Sequence, residues 1–295
     1  MTLTKKPELL APAGSLKHLH MALAYGADAV YAGVPKWSLR VRGNGFIRED
    51  FIKGIEEAHA MGKKVHAVLN IIPHVRRVAA FEKVVDEMAQ LKPDAFIMAD
   101  PGLIDIVRNR YPDIPIHLSV QANTVNAGSV KFWQKVGLTR CILARELSLT
   151  EIDMIKQECP DMEIEVFAHG ALCIAVSGRC LMSGLLSHRD ANIGACNNSC
   201  RYGFNIRNVH AATADDVTTF EADDGTTLSA QIEESMHHPG EWMTMEEDLN
   251  GSYLMNSKDL CTLPVLKKLI EIGVDSLKIE GRSRSPFYSA AISRA

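Results

Sequence analysis

Eight short apolar runs alternate with amphipathic stretches along this 295-residue chain, and that rhythm constrains its fold more than any other feature. The runs lie at 8–11, 29–32, 65–70, 95–100, 116–121, 140–146, 163–168 and 276–280. Many are apolar almost throughout, the pattern of parallel strands covered by helices. Helix-like segments lie between them at 15–25, 49–61, 81–91, 102–111, 129–136, 150–158 and 264–272. Four of these end in a repeated stop, Gly26-Ala-Asp-Ala, Lys92-Pro-Asp-Ala, Gly137-Leu-Thr-Arg and Gly273-Val-Asp-Ser, and a strand follows each time. Glycine just past a helix end takes up the left-handed conformation that closes the last turn. Eight strands alternating with helices favour an α/β fold of the (β/α)8, TIM-barrel type. A doubly wound open sheet competes, but the chain carries no G-x-G-x-x-G or Walker sequence.

The rhythm breaks once. Residues 204–250, between strands seven and eight, hold eleven acidic residues and a single basic one, Arg207. The reading is a single barrel domain over 1–295 with an acidic insertion at 204–250. Within it, 211–224 reads as a flexible loop, and order resumes near 241–256 with added strands. The net charge of −4 hides this division, because the chain without the insertion carries 31 basic and 25 acidic residues. A mildly basic body is compatible with nucleic acid and equally with an ordinary solvated surface. A 46% apolar content supports a substantial core. No apolar run approaches the roughly 20 residues that span a bilayer, so no membrane partner is expected. The opening Met1-Thr-Leu-Thr-Lys-Lys-Pro7 lacks a signal-peptide core, which points to the reducing cytoplasm. The last stretch, 285–295, reads as a helix without a clear cap.

In a barrel, the chemistry sits at the carboxyl ends of the strands. Asn70, Asp100, Gln121, Glu146, His169 and Glu280 fall there. Strict alternation along strand five would put His117, Ser119 and Gln121 on one face, and Lys278 and Glu280 share a face of strand eight, with Arg282 just beyond. Such a ring of amides, carboxylates and cations suits a polar or anionic small molecule, or simply closes the barrel with a structural network. Asp100-Pro101 equally fits the cap and first turn of the following helix. His59, His66 and His74 look isolated, and Cys141 and Cys159 read as small buried apolar groups.

Four of the seven cysteines follow strand seven, as Cys173-x6-Cys180-x15-Cys196-x3-Cys200. In a reducing compartment, clustered thiols are metal ligands more often than disulfides. Only the last pair resembles a zinc knuckle. The irregular spacing suits a four-thiolate iron–sulfur cluster better, with a zinc site or unligated thiols still open. Cys261 is a reserve ligand. No G-x-S-x-G or H-E-x-x-H is present.

The order of motifs resembles the collagenase-like "U" peptidase family over essentially the whole chain. The likeness is carried by Pro7-Glu-Leu-Leu-Ala-Pro-Ala-Gly14, Gly26-Ala-Asp-Ala-Val-Tyr-Ala-Gly33, His117-Leu-Ser-Val-Gln-Ala122, His169-Gly-Ala-Leu-Cys173, Ser177-Gly-Arg-Cys180, Met255-Asn-Ser-Lys-Asp-Leu260 and Ser276-Leu-Lys-Ile-Glu-Gly-Arg282. Tyr31-Ala-Gly33, Ser38-Leu-Arg-Val-Arg42, Asp100-Pro-Gly-Leu103 and Val130-Lys-Phe-Trp-Gln134 resemble the family's tRNA-hydroxylating type. That resemblance implies an RNA-modifying enzyme that makes 5-hydroxyuridine at the tRNA wobble position, prephenate-dependent and independent of oxygen. Related branches hydroxylate a ribosomal RNA cytidine or act in ubiquinone synthesis, the latter with 4Fe–4S clusters. Cys173, Cys180, Cys196 and Cys200 match the family's cysteine motif, so the resemblance implies a 4Fe–4S cluster on them. It makes Arg145, Arg282 and Lys258 candidates for anion contacts, with prephenate or RNA phosphate. It makes Glu280, Asp100 and His169 candidates for proton transfer, and Asn70, Gln121 and Glu146 for substrate binding. The partners it implies are tRNA, a small anionic co-substrate and an electron donor. Members of this type continue into a further C-terminal domain, which is expected to be absent here, and the acidic insertion must fold away from a phosphate backbone. Two alternatives remain: a peptidase, as the family name suggests, and a metal-stabilised scaffold.

Overall fold

Alternating side chains on eight strands sort the chain into a barrel with two distinct apolar layers. The computed structural model describes residues 6–39, 46–172, 176, 182–188, 196, 199–208, 228–235, 239–247 and 259–295. Two compact units emerge, 1–197 with 259–295, and 198–258. In the first, β1 (Glu8–Ala13), β2 (Ala29–Gly33), β3 (Lys64–Leu69), β4 (Ala95–Met98), β5 (Ile116–Leu118), β6 (Arg140–Ile142) and β7 (Glu163–Ala171) pair in sequence from β1 to β7. The strand Ser276–Ile279, β12 in chain order, lies between β7 and β1 and closes the ring of parallel strands. All eight expected strands are therefore present, in a TIM-type barrel.

The register separates the two faces. Leu10, Ala29, Tyr31, Val68, Ile97, Ile142 and Phe167 form one buried cluster inside the ring. Their strand neighbours, such as Val30, Leu69, Phe96, Leu118, Cys141 and Ile164, belong to a larger cluster with helix residues such as Leu19, Phe51, Phe81 and Leu103. Burying each large side chain here contributes roughly 1.5–3 kcal/mol. Cys141 and Cys159 are buried in that outer layer, as expected of small apolar groups.

The surrounding helices are α1 (Leu16–Ala24), α2 (Arg48–Ala60), α3 (Val75–Gln90), α4 (Pro101–Arg110), α5 (Ala127–Val136), α6 (Leu149–Glu158), the short α7 (Met182–Ser187), α8 (Leu266–Ile272) and α9 (Pro286–Arg294). Several boundaries differ from the sequence expectation for local reasons. α3 begins six residues early, two positions after Pro73, because its first turn sets only the partly buried Val78 against the core while Val75 and Arg76 are exposed. α9 does have a cap: Ser285 Oγ accepts from Tyr288 N at 3.2 Å. Strand five stops at Leu118, where the Ser119 hydroxyl accepts from Gln121 N and starts a tight turn over Val120–Ala122. Alternation therefore ends before Gln121, and the single face expected for His117, Ser119 and Gln121 does not form.

The second unit contains β8 (Phe204–Asn208), β9 (Leu228–Glu234) and β10 (Trp242–Glu247) in an antiparallel sheet of order β10-β9-β8. Strands are thus added near 241–256 as expected, while the loop read at 211–224 lies outside the described residues. The remaining strand, β11 (Asp259–Cys261), belongs to the first unit and runs antiparallel to the end of β7. Among the described residues no helix is long and apolar enough to cross a membrane.

Candidate active site at the barrel mouth

The barrel interior is layered by charge. Toward its amino end sits a network that sequence reading missed. Glu165 is fully buried; its carboxylate accepts from Lys278 Nζ at 2.8 Å and from Arg140 at 3.1 Å. Arg140 also reaches Glu8 at 2.6 Å and Glu163 at 2.8 Å. Burial alone would raise the Glu165 pKa, but Lys278 and Arg140 hold it down at about 2. Burial pulls the Lys278 ammonium below its ordinary value, against the attraction of Glu165. His66 and His117 meet edge to face inside the same barrel, ring centroids 4.8 Å apart, so His66 is not isolated. Burial pushes His66 down to about 4 and His117 well below its ordinary value. The signal was present in the sequence: Glu163, Glu165, Lys278, His66 and His117 all sit at inward positions of otherwise apolar strands.

A depressed histidine destabilises the fold in acid. Below pH 6.5 the unfolded chain takes up a proton at His66, while the native state refuses it until about 4. Stability present above pH 6.5 is therefore lost as the pH falls toward 4, by up to about 3 kcal/mol from this residue. Urea unfolding at pH 7 and pH 5 checks this, and His66→Asn is expected to flatten the dependence.

The cluster of Tyr31, Ile97, Ile142 and Phe167 separates this network from the strand carboxyl ends. Lys278 Nζ lies 4.2 Å from the Tyr31 ring centroid on one side of that layer. Arg145 stacks its guanidinium 3.7 Å from the Phe167 ring centroid. Tyr31 donates its hydroxyl to Ile279 O at 2.8 Å.

At the carboxyl end, Asn70 and Arg282 grip the backbone of one residue, Leu39. Asn70 Oδ1 accepts from Leu39 N at 3.0 Å, and Arg282 donates to Leu39 O. Asn70 Nδ2 donates to Ser119 Oγ at 3.0 Å, and the same oxygen holds Gln121 N at 3.3 Å. Asn70, Gln121 and Arg282 are therefore assembled at one mouth, all buried. Ser119 and the Leu39 backbone complete it. The grip on Leu39 was not legible, because a backbone peptide carries no residue-type signal.

On the other side, β7 bulges so that Lys278 pairs with Phe167 but Ile279 with His169. Glu280 N then donates to His169 O at 2.8 Å, and Tyr288 OH donates to Glu280 O at 3.2 Å. The His169 and Tyr288 rings lie 5.9 Å apart. Glu280 is buried and His169 half-buried. Asp100 serves as the cap of α4, its Oδ1 accepting from Leu103 N at 3.0 Å, and no described hydrogen bond or ion pair joins it to the other candidates. Glu146 is exposed on the turn after β6.

Cys196 and Cys200 are half-buried, while Cys173, Cys180 and Lys258 lie outside the described residues. Cys261 is exposed on β11, in register with His169. No group of three or more metal-ligating side chains occurs among the described residues, which include only two of the four clustered thiols. In kind, a set made only of thiols fits an iron–sulfur cluster.

A (β/α)8 barrel with amides, carboxylates and cations gathered at its strand carboxyl ends is an enzyme scaffold. The chain belongs to peptidase family U32, whose family model matches residues 14–295. It is 52% identical over 298 residues to tRNA hydroxylation protein P of Escherichia coli K12, covering 97% of this chain and 66% of that protein. It is 31% identical to a 23S rRNA 5-hydroxycytidine synthase of the same organism, covering 95% of this chain and 37% of that one. A collagenase of Porphyromonas gingivalis is 30% identical, with 97% and 64% covered. The chain spans just under two thirds of the length of its tRNA-hydroxylation relative.

Proposed function

We propose that this chain is a tRNA hydroxylase that forms 5-hydroxyuridine at the wobble position, with prephenate as co-substrate and without molecular oxygen. The observation that carries this reading is the 52% identity to a tRNA hydroxylation protein across 97% of the chain. The similarity to a 23S rRNA 5-hydroxycytidine synthase supports C5 of a pyrimidine as the position this chain hydroxylates.

The mouth suits this role. Replacing the C5 hydrogen of uridine by a hydroxyl requires a group to take the C5 proton. Glu280 and His169, joined through their backbones, are the proposed proton carriers, with Asp100 a third candidate. Asn70 and Gln121 offer amide donors and acceptors to the edge of a pyrimidine, and Glu146 lies at the rim. Arg282 and Arg145, with Lys258, supply cations for the carboxylates of prephenate or an RNA phosphate. Cys173, Cys180, Cys196 and Cys200 would hold a 4Fe–4S cluster, which when bound supplies one-electron transfer. Exchanging C5–H for C5–OH withdraws two electrons from the base, so without molecular oxygen a two-electron acceptor must take part, and an electron donor would serve only to set the redox state of the cluster.

Cys196→Ala tests this reading in cells lacking the native gene. The variant is expected to lose cluster iron after anaerobic purification and to leave tRNA without 5-hydroxyuridine. Full iron content together with full hydroxylation would exclude the ligand assignment. The peptidase reading is favoured by the collagenase name of one relative. It expects protein cleavage that survives removal of the cluster, and absence of cleavage by rigorously purified protein would eliminate it.

A further inference from the structure

We propose that the rim above β2 and β3 is the surface on which single-stranded RNA lays its phosphates while one base enters the mouth. The proposal rests on the reading of the mouth as an RNA-modifying site. Residues 34–39 and 70–81 carry Lys36, Arg76 and Arg77 and contain no Asp or Glu. The two segments follow neighbouring parallel strands, so both emerge at the carboxyl end of the barrel.

They are held as one surface. Ile71 N donates to Trp37 O at 3.3 Å, and Leu39 N donates to Asn70 Oδ1 at 3.0 Å. Arg77 donates to Lys36 O and lays its guanidinium 4.7 Å from the Trp37 ring centroid. Lys36 itself has φ 66°, in the left-handed region. Lys36, His74, Val75 and Arg76 are exposed, Val75 at 85%. Cations beside an exposed imidazole and an exposed apolar side chain match single-stranded RNA, whose phosphates take the charge and whose splayed bases stack on flat groups.

The surface joins the mouth directly. Asn70 belongs to both, because it binds Leu39 on the rim and Ser119 at the end of β5. A nucleotide turned out of a loop into that mouth must leave its neighbours on the rim. The β2–β3 sector supplies the positive charge there.

The test is binding of unfractionated tRNA to the full chain across a KCl series, using wild type, Lys36→Ala/Arg76→Ala, and the control Lys135→Ala/Lys267→Ala. Each phosphate contact on a single strand contributes about 0.7 to the slope of log K against log salt. The rim variant is expected to bind about tenfold more weakly at low salt, with a slope shallower by about 1.4 and an unchanged thermal midpoint. The control should match wild type. Wild-type binding with an unaltered slope in the rim variant overturns the surface and leaves the mouth reading standing. A wild-type chain that binds no tRNA at any salt overturns both. Rim-dependent binding to anionic lipid vesicles but not to tRNA would reassign the surface to a membrane.

Discussion

Glu165→Gln is expected to cost about 3–5 kcal/mol of unfolding free energy, the range for removing one partner of a buried ion pair. The substitution keeps the shape but leaves the Lys278 ammonium against a neutral amide inside the barrel. Arg140 keeps Glu8 and Glu163, so the loss is concentrated at Lys278. The wild-type pair also has a pH signature. The native Glu165 carboxyl lies at about 2, below its value of 4.5 when unfolded. Its stabilisation is therefore complete above pH 4.5 and is lost as the pH falls toward 2. Urea titration at pH 7 reads the loss, and Glu165→Leu/Lys278→Met is expected to recover most of it, since apolar replacements of a buried pair are often neutral. A loss below about 1 kcal/mol for Glu165→Gln would show that the network is wet rather than buried.

Gly170→Val is expected to be the more damaging change for function, with a stability loss on the order of 3–5 kcal/mol. Gly170 has φ 110°, and a Cβ there would overlap Glu280 O, a backbone atom that cannot swing aside. Even alanine forces β7 and β12 apart at the bulge that sets His169 opposite Ile279. Both proposed proton carriers then move. Gly170→Ala is expected to lower the thermal midpoint and to reduce tRNA hydroxylation in cells more than the lost stability explains. An alanine variant with wild-type midpoint and wild-type hydroxylation would contradict the proposed role of this close approach.

The barrel was legible because its determinants are local. Strands such as Ala95–Met98 are continuous apolar runs, and Gly137 and Gly273, at φ 93° and 85°, stop their helices as sequence alone suggests. Legibility failed where a side chain bonded the backbone nearby. The Ser119 hydroxyl turned strand five into a tight turn, and Ser285 supplied a cap that apolar periodicity cannot register. The mouth was half legible. Asn70, Gln121, Glu280 and Arg282 stand at strand ends, and position alone selects them. What they touch was not, because the Leu39 backbone and the Tyr288 hydroxyl each depend on residues brought together by the fold. Asp100 shows the reverse case, a strand-end carboxylate that the structure occupies with a helix cap.

The most direct measurement of the central claim is nucleoside mass spectrometry of tRNA from cells lacking this gene, with and without the wild-type gene restored. 5-Hydroxyuridine and its derivatives are expected to disappear on deletion and to return on complementation. An unchanged level of 5-hydroxyuridine in the deletion strain would contradict it.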